Sequence, residues 1–360
     1  MNDPVKKVLI AAGGTGGHIF PALAFGEWIQ EEKKARSVVY ISGSRALELE
    51  IYNSRGVKPI CLSLGGSPLG ASSGVLKLRR CFELFSAFLR VGTLFFREKP
   101  DACFLFGSYV SLPFLFWSFI LRVPVALHEQ NSCAGKVTRL ASFLGVPIAS
   151  GWEECRGLSK PFTPVGVPIR RLEKISKPDA ASILGLDIGR ADFVVGVIGG
   201  SIGSASIQNI TRQIAQNKKN FVFAALGNQP SSEGVSENIR FLGKHWDMTP
   251  FYSVVDAVIC RAGASTLAEL MAYDIPALVV PWMSSADGHQ ELNAQNFSRL
   301  TGNPIWIQKE TDTDYLDLDN AFERLIEISN NKRDKNQNRK ADNSAFDKSE
   351  QSKSLWRILC

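Results

Sequence analysis

At 360 residues the chain exceeds what one hydrophobic core usually organises, so two domains are expected. Its 45% apolar and 21% charged composition excludes wholesale disorder, and a net charge of +6 suits an anionic partner without choosing among nucleotide, nucleic acid and acidic lipid. Seven scattered cysteines with no Cys-x-x-Cys pair argue against a disulfide framework or a zinc site and suit a reducing cytosol.

At the N-terminus, Lys6 and Lys7 precede a five-residue apolar run, Val8 to Ala12, too short for the core of a secretion signal. The run leads into Gly13-Gly14-Thr15-Gly16-Gly17-His18 and then a helix-like stretch, so it reads as strand, tight turn and helix N-terminus. A second loop, Gly199-Gly200-Ser201-Ile202-Gly203-Ser204, follows the apolar run Phe193 to Ile198 in the same way. Helix N-termini carry unpaired N–H groups and the positive end of the dipole, so both loops are expected to favour anions. Two such loops at half-chain spacing suggest two similar domains with a cleft between them.

The first loop fits a dinucleotide fingerprint poorly. A Gly-x-Gly-x-x-Gly register from Gly14 meets Ile19 at the third glycine, and no acidic residue ends the next strand, where Ile41 to Arg45 stand. Neither loop holds a Gly-x-x-x-x-Gly-Lys-Ser/Thr sequence. His18 reads either as a capping or packing histidine or as a general base, since histidine titrates near neutral pH.

Residues 75–99 read as a helix with two apolar stripes, Leu78, Phe82, Phe85, Leu89 and Leu84, Phe88, Val91, Phe95. Lys77, Arg79, Arg80, Arg90, Arg97 and Lys99 surround them. The apolar arc is wider than one core contact needs, and a basic helix with surplus apolar surface suits an anionic membrane surface. The following uncharged stretch, Ala102 to Leu121, is long enough to cross a bilayer, but Gly107, Ser108, Ser111 and Pro113 divide it into a strand, a turn and a short buried helix.

That division recurs. Asp101 to Gly107 leads through a helix to Val123-Pro124, and Asp256 to Gly263 leads through another to Ile275-Pro276. Near-continuous apolar strands alternating with helices indicate parallel sheets covered on both faces, which bind ligands at the carboxyl ends of their strands. His128-Glu129-Gln130-Asn131 follows one such strand and is expected to meet sugar hydroxyls, the alternative being a cap on the next helix at Asn131 or Ser132. Arg261 to Glu269 is a small-residue turn into a helix, with Glu269 suited to accept a ribose diol. Lys160 to Pro168 reads as the linker, giving domains 1–162 and 163–340. Asn330 to Ser354 reads as an exposed or partly disordered helix, and the apolar terminus Leu355 to Leu359 is expected to dock on the first domain.

In combination these motifs resemble the MurG family of bacterial peptidoglycan N-acetylglucosaminyltransferases. The resemblance runs from Gly13 to about Asn296 and rests on residues 13–18 with Pro21, Phe106-Gly107 with Tyr109-Val110-Ser111, and His128 to Asn131. Gly166-x-Pro168-Ile169-Arg170, Gly199-Gly200-Ser201, Arg261 to Glu269, and Asp287-x-x-Gln290-x-x-Asn293-Ala294 complete it. It implies an α/β GT-B fold of two Rossmann-like parallel-sheet domains facing an interdomain cleft, the first for a lipid-linked acceptor and the second for UDP-GlcNAc. The implied reaction is inverting transfer of GlcNAc to the 4-hydroxyl of MurNAc in undecaprenyl-diphospho-MurNAc-peptide, at the cytoplasmic face of the inner membrane. No nucleic acid, cofactor or metal is implied, and no Asp-x-Asp motif occurs.

Carried over by position, Thr15, Gly16, Gly17 and Asn131 reach the donor sugar, and Arg170 and Ser201 serve the diphosphate. Ala264, Ser265, Thr266, Leu267, Ala268 and Glu269 serve nucleoside and phosphate, Gln290 the sugar hydroxyls, and His245 the uracil. His18 is the candidate base, with Glu129 the second candidate or its orienting partner. Val167, Ile202 and His289 depart from the family pattern, each altering a polar side chain.

Overall fold

Two parallel sheets, each with helices on both faces, organise the computed structural model, which describes residues 5–65, 73–171, 173–189, 193–200, 205–228, 236–307, 315–338 and 349–360. The chain divides into two units, Met1–Arg170 with Asp347–Cys360, and Arg171–Phe346.

In unit 1 strands and helices alternate as β1 (Val5–Ala11), α1 (Gly16–Glu31), β2 (Ala35–Ser42), α2 (Ala46–Asn53), β3 (Ile60–Cys61) and α3 (Gly74–Glu98). They continue with β4 (Ala102–Leu105), α4 (Ser111–Leu121), β5 (Val125–Glu129), α5 (Lys136–Phe143), β6 (Ile148–Ser150) and β7 (Thr163–Pro164). The strand order is β3-β2-β1-β4-β5-β6-β7, every pair parallel. The proline-rich segment read as a linker therefore contributes an edge strand, with Ala149 opposite Thr163. Proline is tolerated there because an edge strand has one side without a partner.

The uncharged stretch 102–121 divides between β4 and α4. No helix among the described residues is long and apolar enough to cross a membrane. α3 begins on Ser73, whose hydroxyl accepts from the Leu76 amide at 3.3 Å. It buries Ala87, Val91, Leu94 and Phe95 against the sheet but leaves Val75, Leu78, Phe82, Phe85 and Leu89 exposed. Trp117 of α4 locks against it, its indole donating to the Phe88 carbonyl at 2.7 Å. At Gly92 the ring comes so close that a Cβ would lie 2.4 Å from it, which only glycine avoids.

In unit 2 the order along the chain is α6 (Lys177–Leu184), β8 (Phe193–Ile198), α7 (Ala205–Asn217), β9 (Phe221–Ala225), β10 (Ile239–Phe241) and α8 (Thr249–Val254). β11 (Ala257–Cys260), α9 (Ala264–Ala272), β12 (Ala277–Val279), α10 (His289–Thr301) and α11 (Tyr315–Asn338) follow. The sheet runs β10-β9-β8-β11-β12, again parallel throughout. Its core gathers Val195, Val197, Ile210, Phe223, Ile259, Leu278 and Phe322.

The last helix, α12 (Glu350–Trp356), belongs to unit 1. Leu355 is fully buried, and the Trp356 ring stacks on Phe104 of β4 at 5.9 Å and tilts against Trp28 of α1 at 6.3 Å. Residues 339–348 of the charged tail lie outside the described residues.

Candidate active site

Strand order reverses between β1 and β4 in unit 1 and between β8 and β11 in unit 2. Adjacent loops leave such a switch point in opposite directions, opening a crevice at the carboxyl edge. In unit 1 that crevice lies between residues 13–17 and 106–109; in unit 2 it lies between Gly199-Gly200 and residues 261–263.

Thr15 is the extended N-cap of α1 without a side-chain capping bond, so His18 falls in the helix's first turn. Beneath the loop lies Glu48 of α2, 1% exposed, which the sequence reading missed. Its carboxylate accepts from the Gly14 amide, from the Arg45 amide at 2.9 Å and from the Arg45 guanidinium at 3.1 Å. The expectation that this loop's amides serve an external anion is corrected for Gly14, because an internal carboxylate occupies that donor. The one sequence signal was an acidic residue three positions after Arg45, the spacing that lets a carboxylate reach back to the amide before a helix.

His18 is half-buried, and its Nδ1 lies 2.7 Å from Oε1 of Gln130. Behind Gln130, its amide nitrogen faces Nδ1 of His128 at 3.0 Å and the His128 carbonyl at 2.9 Å. Nε2 of His128 in turn faces the Gly166 carbonyl at 2.8 Å. Burial pushes the His128 pKa down to about 4, outweighing the Gly166 carbonyl and the Glu129 charge, which act the other way. Gly107, with φ of +77°, forms the wall beside His18; a Cβ there would sit 3.3 Å from the imidazole.

The segment 128–131 differs from expectation. His128, Glu129 and Gln130 are 1%, 3% and 1% exposed, so these side chains turn inward, and only Asn131 is partly open. Glu129 Oε1 accepts from the Asn131 amide and side chain at 3.0 and 3.2 Å; Oε2 accepts from the Gly135 amide at 3.0 Å and Thr138 Oγ1 at 2.6 Å. Four donors hold this carboxylate as the brace of the 130–135 loop, so its oxygens are turned to these partners. The next helix, α5, is capped at Gly135 rather than at Asn131 or Ser132. Arg170 is buried, its guanidinium 4.3 Å over the Phe20 ring of α1.

In unit 2, Ser201, Ile202 and Gly203 lie outside the described residues. The opposite wall is built around Arg261, whose guanidinium donates to the Val280 and Pro281 carbonyls at 3.0 and 3.2 Å and to Ser206 Oγ of α7. Burial lowers its pKa. Asn293, fully buried, donates to the Ala262 carbonyl at 3.0 Å. Along α9, Ala264 and Leu267 face the core, whereas Ser265, Thr266 and Ala268 are partly open. Glu269 is buried, with Oε2 accepting from the Tyr252 hydroxyl at 2.7 Å, a partner the sequence did not indicate. Gln290 near the start of α10 accepts the Trp282 amide at 2.9 Å, bracing the loop before it. His245 is half-buried between β10 and α8.

Residues 8–145 match the glycosyltransferase family 28 N-terminal domain, and residues 194–354 match the glycosyltransferase family 28 C-terminal domain. A UDP-N-acetylglucosamine--N-acetylmuramyl-(pentapeptide) pyrophosphoryl-undecaprenol N-acetylglucosamine transferase of Protochlamydia amoebophila is 30% identical over 85% of this chain and 84% of its own length. The enzyme of the same name from Synechococcus elongatus is 30% identical over 88% of this chain and 87% of its own. Among solved structures, MurG of Acinetobacter baumannii shares the fold with a TM-score of 0.68 at 22% identity, covering 98% of this chain and 99% of that one. With both matched segments built on parallel sheets of the GT-B type, the chain belongs to glycosyltransferase family 28, among its MurG members.

Proposed function

We propose that the chain is an inverting glycosyltransferase that moves GlcNAc from UDP-GlcNAc to the 4-hydroxyl of MurNAc in undecaprenyl-diphospho-MurNAc-peptide, converting lipid I to lipid II. The observation that carries this reading beyond its relatives' names is His18, half-buried in the first turn of α1 at a strand-order reversal and backed by Gln130 at 2.7 Å. A base there takes the hydroxyl proton as the oxygen attacks the anomeric carbon. The new C–O bond forms as the bond to the UDP oxygen breaks, so the α-linked donor gives a β-linked product.

Unit 2 holds the donor. Ser265, Thr266 and Ala268 at the open start of α9, Glu269 behind them and Gln290 on α10 bind nucleoside, phosphate and sugar, with His245 beside the uracil. Ser201 in unit 2 and Arg170 in unit 1 are each assigned to the diphosphate by their chemistry, hydroxyl and charge. Within unit 1, Thr15, Gly16, Gly17 and Asn131 are assigned to sugar binding. Dipoles fixed before reaction stabilise a departing diphosphate without reorganising.

α3 supplies the membrane contact, since the acceptor's lipid tail stays in the bilayer. Its exposed Leu78, Phe82 and Phe85 continue into Phe116 and Phe119 of α4, with Arg79, Arg90 and Arg97 along the rim. Phe88 and Phe116 join the two helices edge to face at 5.1 Å. The apolar face enters the lipid boundary while the cations meet anionic headgroups, which makes the enzyme peripheral on the cytoplasmic face of the inner membrane.

Incubation with UDP-GlcNAc and a short-chain lipid I analogue, followed by NMR of the product, tests the reading. A β-1,4-linked disaccharide is expected. Transfer to diacylglycerol in place of the analogue would assign the chain to another acceptor class.

A further inference from the structure

The hydrogen-bond chain behind His18 ends on a backbone carbonyl, and its polarity follows from that end. Gly166 O can only accept, so Nε2 of His128 carries a proton. Buried His128 is neutral near pH 7, which leaves its Nδ1 as an acceptor. The Gln130 atom facing that Nδ1 must be the amide nitrogen, which also donates to the His128 carbonyl. A flipped amide would set its oxygen against a lone pair and a carbonyl together. Oε1 of Gln130 is therefore the atom 2.7 Å from Nδ1 of His18, and a carbonyl oxygen there requires that Nδ1 carry hydrogen.

We infer that Gln130, oriented by His128 and Gly166, is a positioning residue that holds His18 as its Nδ1–H tautomer, leaving the Nε2 lone pair for the reacting hydroxyl. Histidine left to itself favours the opposite tautomer, so the arrangement is imposed by the fold. The lock is rigid: Gln130 is 1% exposed, its backbone carbonyl accepts from Trp152 Nε1 at 2.9 Å, and the Phe106 ring packs on His128 at 5.4 Å. Arg45 Nη2, paired with Glu48, and His18 Cδ2 lie 3.7 and 3.5 Å from where a Gly14 Cβ would sit, and Arg170 lies over Phe20 farther along α1. None of these supplies the oxygen acceptor found at Nδ1.

The inference rests on the transferase reading for the use of the Nε2 lone pair, but the tautomer is measurable without turnover. Nitrogen-15 NMR of histidine-labelled full-length protein, with His18 assigned from the His18→Gln variant, reads it directly. The wild-type chain is expected to show Nδ1–H at His18 even if no transfer were detected, and an Nε2–H pattern overturns the lock. Gln130→Met should lose that pattern and lower kcat on the order of 100-fold, less than the ~10⁴-fold loss when a catalytic histidine is held in the wrong tautomer, because Met releases the ring rather than reversing it. KM for UDP-GlcNAc should stay unchanged. Gln130→Glu sets a second oxygen against the His128 Nδ1 lone pair and carbonyl that the amide nitrogen satisfies, so it should weaken the lock and lower kcat as well. A Gln130→Met protein with wild-type kcat and an unchanged His18 spectrum would overturn the proposal.

Discussion

The carboxylate of Glu48 accepts the backbone amide of Gly14, so an internal acid anchors the loop that carries His18. Replacement by alanine strips a buried donor of its partner, which costs about 2 kcal/mol. Urea unfolding should show that loss for Glu48→Ala, together with reduced turnover, whereas Glu48→Gln, which keeps an acceptor oxygen, should fall between. Unaltered unfolding in Glu48→Ala would mean the anchor is dispensable.

Trp356 fastens the C-terminal helix to unit 1 through Phe104 and Trp28. Truncating a large buried ring to alanine costs about 3 kcal/mol. Trp356→Ala should therefore lower the melting temperature clearly in calorimetry, and an unchanged transition would remove α12 from the stabilising contacts.

His128 gives unit 1 an acid-sensitive element. Its folded pKa of about 4 lies below the ordinary value near 6.5, so between these pH values the unfolded chain binds a proton that the folded chain does not. The associated stability is present above pH 6.5 and is lost as pH falls through 4, a change of about 3 kcal/mol. Denaturation followed across that window should show the decline, and His128→Gln should reduce its slope by about one proton. An equal slope in the variant would contradict the assignment.

The apolar face of α3 predicts a separable membrane function. Phe82 and Phe85 are 71% and 60% exposed and touch no core, so changing both to aspartate should weaken flotation with anionic vesicles while UDP-GlcNAc binding by calorimetry stays the same. Equal flotation would point to a different contact surface.

Alternation of apolar runs with glycine turns was enough to read both parallel sheets, because strands buried on both faces leave a continuous hydrophobic signature. The division of Ala102–Leu121 into β4 and α4 was legible from Gly107 and Pro113 for the same reason. What stayed hidden were partners distant in sequence. Nothing local tells that Glu48 reaches Gly14, that Tyr252 meets Glu269, or that Gln130 lies between two histidines. The inward turn of Glu129 was not legible because a polar residue at a strand's end fits both a ligand and a loop brace. The distinction lies in where Gly135 and Thr138 fold back.

Release of UDP, followed by a coupled assay with UDP-GlcNAc and a short-chain lipid I analogue, tests the central claim most directly. UDP release that depends on the analogue, and falls by at least about 100-fold in His18→Ala, is the predicted result. UDP-GlcNAc binding without acceptor-dependent release of UDP would contradict it.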